Sequence, residues 1–209
     1  MDVLVLVLDL FPLTNGLSKE TLARAVHHIL VFVNAHLALR FDGRVAVVAA
    51  TASKGGQLIL ASDAVADSVS DGRNSIGMYK QFKQTDDVIA HKLVQLLSDS
   101  KSVPADASSS CVASALSIAL SYINRIKKTN TDSTIPIQAR ILVISVSPDS
   151  PHEYIPIMNT IFAAKKDDVI IDVCRLLGST SLFLSQTAAS TGGVFVQVSD
   201  LDNLVTVLL

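Results

Sequence analysis

Asp9 closes the apolar run Val3 to Leu8, His152 and Glu153 are neighbours, His27 and His28 are neighbours, and Cys111 and Cys174 are the two thiols. A carboxylate at the end of a strand suits a metal ion or general-base chemistry, a His-Glu pair suits zinc hydrolysis, and thiols suit redox or zinc chemistry. In each case the pattern lacks its other members. His152-Glu153 has no second histidine four residues away, and no Gly-x-Ser-x-Gly elbow is present. No Gly-x-Gly-x-x-Gly or Walker A pattern follows an apolar run, and Gly55-Gly56 and Gly192-Gly193 fall at turns, so no nucleotide cofactor is expected. His27 and His28 point about 100° apart on a helix and cannot share a metal. His36 falls near an apolar stripe and reads as a packed residue. Two cysteines in apolar stretches read as buried free thiols. No catalytic residue and no cofactor is expected.

The elements that would position these groups follow from composition and period. Hydrophobic residues make up 49% of the 209 and charged residues 17%, which supplies a large core and excludes a disordered chain. One domain over residues 1–209 is expected. The apolar runs are far shorter than the roughly 20 residues of a bilayer span, so no membrane helix is expected. Asp2 and Asp9, with no basic residue before them, argue against a cleaved secretory signal. A formal charge of −2, with no basic run longer than Lys127-Lys128 or Lys165-Lys166, gives no footprint for direct nucleic-acid binding.

Val3 to Leu8 is apolar on both parities, as a central parallel strand is. A long amphipathic helix is predicted from Ser18 to about Arg40, then a hairpin of Arg44 to Ala50 and Gln57 to Ala61 around Ser53-Lys54-Gly55-Gly56. Ser62 to Gly77 and Ser98 to Ser110 read as loops on either side of a helix from Asp86 to Leu97. Cys111 to Ile126 is a strong helix, Arg140 to Val146 a strand, Tyr154 to Lys166 a helix and Val169 to Leu176 a strand. A helix from Ser181 to Ser190, a turn at Thr191-Gly192-Gly193, a strand from Val194 to Val198 and a final helix from Asp200 complete the chain. The alternation predicts a doubly wound α/β fold: a mostly parallel six-stranded sheet, helices on both faces and one antiparallel hairpin edge.

The order of elements, the aspartate ending an all-apolar first strand, the early hairpin and Thr191-Gly192-Gly193 before the last strand together resemble a von Willebrand factor A domain. The resemblance implies a magnesium site built from Asp-x-Ser-x-Ser after the first strand, a threonine in a later loop and an aspartate after the fourth strand. Here the motif reads Asp9-Leu10-Phe11-Pro12-Leu13, with no side-chain oxygen at either serine position. The loop offers Ser108, Ser109 and Ser110, and the fourth strand ends Ser145-Val146-Ser147-Pro148-Asp149, its carboxylate displaced. Magnesium demands near-octahedral oxygen ligands, so the degenerate set Asp9, Ser109 and Asp149 is expected to hold no metal. The alternative is an adhesion-like domain that binds a metal and a carboxylate ligand there.

A narrower resemblance rests on HHILVFVNAHLALRFDGRVAVVAA from His27, SALSIALSYINRI from Ser114, RILVISVSPDS from Arg140 and YIPIMNTIFAAKKDDVIIDVCRLL from Tyr154. These stretches are similar to the small von Willebrand A subunit of general transcription factor IIH. The resemblance implies a non-catalytic nuclear scaffold in transcription initiation and nucleotide excision repair, paired with a neighbouring subunit that bears a RING-like zinc domain. In that family a cysteine-rich zinc module follows the final helix and a longer insertion lies near Ser62 to Gly77, and neither is seen in this sequence.

Two surfaces are candidates for such a partner. Ser110, Ser114, Ser117 and Ser121, with Arg125 four residues on, share one face of the helix from Cys111. Serine is a poorer helix former than the Lys or Glu usual on a solvated face, and small hydroxyls let another backbone approach closely. The second candidate is the helix from Tyr154, where Tyr154, Ile157, Ile161 and Ala164 form one apolar stripe and Ile155, Met158 and Phe162 another. One stripe can face the sheet and the other needs a second cover, and Tyr154, Ile157 and Ile161 are taken as the candidate contacts.

Overall fold

The computed structural model describes residues 1–10, 19–39, 43–51, 55–62, 78–100, 111–130, 136–176 and 180–208. Six strands, β1 (Asp2–Asp9), β2 (Arg44–Thr51), β3 (Gly55–Ala61), β4 (Gln138–Ser145), β5 (Val169–Leu176) and β6 (Phe195–Val198), form one sheet in the order β3-β2-β1-β4-β5-β6. Every neighbouring pair is parallel except β2 with β3. This is the predicted sheet with its antiparallel edge. The order steps outward in both directions from β1, as right-handed crossovers starting from a central strand require.

The helices are α1 (Lys19–Leu39), α2 (Met78–Ser100), α3 (Val112–Thr129), α4 (Tyr154–Lys166), α5 (Leu182–Thr191) and the short α6 (Leu204–Leu208). The two parities of β1 explain their placement. Val3, Val5 and Val7 join a core with Leu116, Ala119 and Ile123 of α3, whereas Leu4, Leu6 and Leu8 join a second core with Ile29 and Val33 of α1 and Ile89 and Leu93 of α2. Each strand residue therefore meets a helix, and the run is apolar throughout because neither face sees water.

Both ends of α2 depart from expectation: the helix begins at Met78 rather than near Asp86 and continues to Ser100, past the predicted stop. Its leading segment, Lys80 to Thr85, is mostly polar and so shows no apolar period, although Thr85 is buried. The predicted loop at Ser62 to Gly77, apart from Ser62 itself, and the remainder of the one before Cys111 lie outside the described residues, as do Phe11 to Leu13.

Gly56 and Gly192 show two different needs for glycine. A Cβ on Gly56 would lie 2.7 Å from both the Cα and the amide nitrogen of Ala115, so the hairpin rests backbone-to-backbone on α3. Gly192 closes α5 at φ 75°, in the left-handed region, and its N–H reaches the carbonyl of Ala188.

Candidate functional site

The carboxyl ends of β1, β4 and β5 lie side by side. Leu8 pairs with Ile144 and Ser145 pairs with Arg175, which sets Asp9, Ser145 and Arg175 in a row across the sheet edge. Asp9 is only 2% exposed. Its Oδ2 accepts from Ser145 Oγ at 3.1 Å, from the Val146 N–H at 3.3 Å and from the Ser147 N–H at 2.9 Å. Arg175, also 2% exposed, donates from Nη1 to Ser145 Oγ at 3.1 Å and to the Ser147 carbonyl. Burial lowers the guanidinium pKa, and the charges of Asp9 and Asp149 act in the opposite direction.

Asp149 faces elsewhere. Its carboxylate accepts from Ser181 Oγ, from the Leu182 N–H at 2.7 Å and from the Phe183 N–H at 3.2 Å. It thereby satisfies orphan amides at the start of α5 and complements the positive end of the helix dipole. Ser181, the N-cap, accepts in turn from the Leu184 N–H at 3.2 Å. The metal set of the fold family is therefore not assembled by the residues present. Asp9 is held by three donors beside a fixed cation, Asp149 is turned to α5, and Phe11 and Leu13 bring no oxygen. Phe11, Leu13 and Ser109 lie outside the described residues, and no group of three His, Cys, Asp or Glu that could hold a metal occurs among the described ones. The donor set does not fit a hard divalent cation.

The second feature is a groove of about 670 Å³ between α3 and α4. Ser114, Ser117 and Ser121 line one wall, and Pro156, Asn159 and Ala163 line the other. All six side chains are small or polar, so the two helices approach without filling the space between their outer edges. The serine face is indeed presented outward, with Ser114, Ser117 and Ser121 exposed. Ser114 also serves the fold, because its Oγ accepts from the Gly56 N–H at 3.1 Å. Ser121 Oγ donates to the Ser117 carbonyl at 2.8 Å, a helix-internal bond that leaves Ser117 as the plain surface residue at the middle of the wall. Arg125 lies outside the groove lining, with its guanidinium 5.1 Å from the Tyr122 ring centroid.

On α4 the structure corrects the choice of stripe. Ile157 and Ile161 are 3% and 2% exposed and form a small core with Ala113, so they join α4 to α3 and offer nothing to a neighbour. Tyr154 is half-exposed and packs on Phe183, with ring centroids 5.3 Å apart. Ile155 and Phe162, from the other stripe, are the outward apolar residues at 69% and 63% exposure. Periodicity finds both stripes but not which one meets the sheet.

Sequence reasoning weighed Glu153 only as a partner of His152 and did not single out Pro156 or Asn159. Glu153, at the end of a single 3-10 turn (Pro151–Glu153), borders the groove and accepts from the N–H groups of Ala113 and Val112, thereby capping α3. Burial pushes its carboxyl up to about 7, with Asp9 and Asp149 adding to the rise and the two amides opposing it. Pro156 and Asn159 line the far wall because they fall between the two apolar stripes. The thiols also divide: Cys174 is buried and raised to about 11, whereas Cys111 is half-buried and borders the groove, so only the former is the core thiol expected. Burial, Glu153 and Asp9 together raise the Cys111 thiol, which makes it a poor nucleophile.

Comparison with known proteins bears on the whole chain. The family model described as transcription factor Tfb4 matches residues 1–209. The chain is 35% identical over 213 aligned residues to the general transcription and DNA repair factor IIH subunit tfb4 of Schizosaccharomyces pombe, covering 100% of this chain and 68% of that protein. It spans about two thirds of the length of the curated relatives it matches first. Among solved structures, the TFIIH p34 N-terminal domain superposes with a TM-score of 0.80 at 30% identity, covering 99% of this chain and 95% of that one. A von Willebrand factor type A protein from Catenulispora acidiphila, at 13% identity and a TM-score of 0.61, covers 99% of this chain and 41% of its own, and it shares the fold.

Proposed function

We propose, from the premise that this chain belongs to the transcription factor Tfb4 family, that it is a non-catalytic structural subunit of a factor IIH-type assembly acting in transcription and DNA repair in the nucleus. Its task is to hold a neighbouring subunit, and the RING-like zinc domain of that neighbour is the partner assigned to the groove between α3 and α4. The observation that carries this reading is the likeness to the p34 N-terminal domain along the whole chain, at 30% identity. The local chemistry agrees with it. The carboxyl ends of β1, β4 and β5, where an open α/β sheet ordinarily holds its ligand, are closed by the chain's own hydrogen bonds. What remains open is a groove of hydroxyls, amides and short apolar side chains, which suits a protein surface whose backbone and side chains can meet it at close range.

Ser117→Glu in the full chain tests the assignment. Ser117 is exposed, so folding and melting temperature are expected to stay unchanged. Binding to the purified RING-bearing subunit should weaken at least about tenfold, roughly 1.4 kcal/mol, because a carboxylate is forced into a close interface. Equal binding by a folded Ser117→Glu chain rejects the groove as the contact.

A further inference from the structure

We propose that the Arg175 guanidinium is the resident cation of the Asp9 site, taking the place that a divalent ion holds in metal-binding members of this fold. Asp9 is 2% exposed, and a carboxylate so deeply buried needs a counter-charge as well as hydrogen bonds. The structure supplies both from one network. Ser145 Oγ donates to Asp9 and accepts from Arg175, and Ser147 donates its N–H to Asp9 and offers its carbonyl to Arg175. The serine hydroxyl and the peptide segment thus bridge the two charges.

The position of the arginine in its strand makes the same point independently. Val173, Cys174 and Leu176 around it are all buried, and an arginine enclosed in such a strand is costly unless an opposite charge lies beside it. Arg175 is among the largest fully buried side chains of the described residues, and the charges of Asp9 and Asp149 both favour its charged form. Guanidinium is also the cation least able to lose its proton, so the neutralisation persists at any physiological pH.

Two consequences follow. A divalent ion approaching Asp9 meets a fixed positive charge and a carboxylate oxygen already engaged by three donors, so the site is closed to metals. The ends of β1, β4 and β5 are cross-tied without any ligand, which gives a permanently closed sheet edge rather than one that changes with metal occupancy. This inference does not rest on the groove or on its partner.

The test is a double-mutant cycle on the full chain with Mn2+ as the metal probe. Arg175→Met and Asp9→Asn are each expected to lower the melting temperature by several degrees, because each leaves a buried partner uncompensated. The double variant should lose clearly less than the sum, since no lone charge remains. Strictly additive losses would overturn the pairing. Electron paramagnetic resonance of Mn2+ supplies a second readout: saturable binding to the unaltered chain that Asp9→Asn abolishes refutes Arg175 as the resident cation.

Discussion

Glu153 shows how one carboxyl ties the groove to the stability of a helix. Its proton is retained up to about pH 7 in the folded chain, whereas the ordinary value is 4.5. Between those values the folded state holds a proton that the unfolded chain has released, so stability falls as pH rises through this window. The contribution is fully present below the unfolded value and is lost as the folded group ionises. Thermal melts from about pH 5 to about pH 8 should therefore show a decline that is smaller in Glu153→Gln, whose amide oxygen still caps Val112 and Ala113 but does not titrate. Parallel declines for the two proteins would contradict the role of Glu153. The sequence placed a negative residue beside His152 but gave no sign that it reaches α3, because the contact joins positions forty residues apart in the chain. Arg175, a lone arginine inside Val169 to Leu176, which is otherwise apolar apart from Asp172, was likewise not singled out in the sequence, because only the register of β1, β4 and β5 sets it in line with Asp9.

At the scale of elements, β1 and β2 were legible because burial on both faces makes them largely apolar, and β5 and α4 run between the residues that periodicity names. Polar helix turns were not, as the early start of α2 shows. The glycines show a subtler gap. Both Gly56 and Gly192 fall at predicted turns, yet only Gly192 is there for its dihedral, and Gly56 is there for space. The two should respond differently to substitution. Gly192→Ala is expected to cost about 1–2 kcal/mol from the left-handed conformation, and Gly192→Asn less, because asparagine tolerates that region. Gly56→Ala is expected to cost about 1–3 kcal/mol by pressing on the backbone of α3, and Gly56→Asn still more. Denaturant midpoints of the four variants measure this. An asparagine that rescues position 56 would contradict the close approach.

Across the whole molecule, the closed sheet edge and the open groove occupy different places. The sheet edge that could have held a ligand is closed by Asp9, Ser145 and Arg175, and Asp149 is committed to α5. The open groove lies beside it, between two helices whose facing residues are small. The helical spacing of the serines in the sequence matches the exposed face on which Ser114, Ser117 and Ser121 lie. Sequence reasoning misassigned Ile157 and Ile161 because two apolar stripes on one helix are equivalent until the neighbouring helix is placed. The most direct measurement is site-specific photo-crosslinking to the proposed RING-bearing neighbour within a factor IIH-type assembly. A crosslinking residue at Asn124 or Asn159, both on the groove lining, should give an adduct with that subunit. One at Val94, 67% exposed on the opposite face of the sheet, should not. Adducts from Val94 with none from Asn124 or Asn159 would contradict the groove as the place where this protein holds its partner.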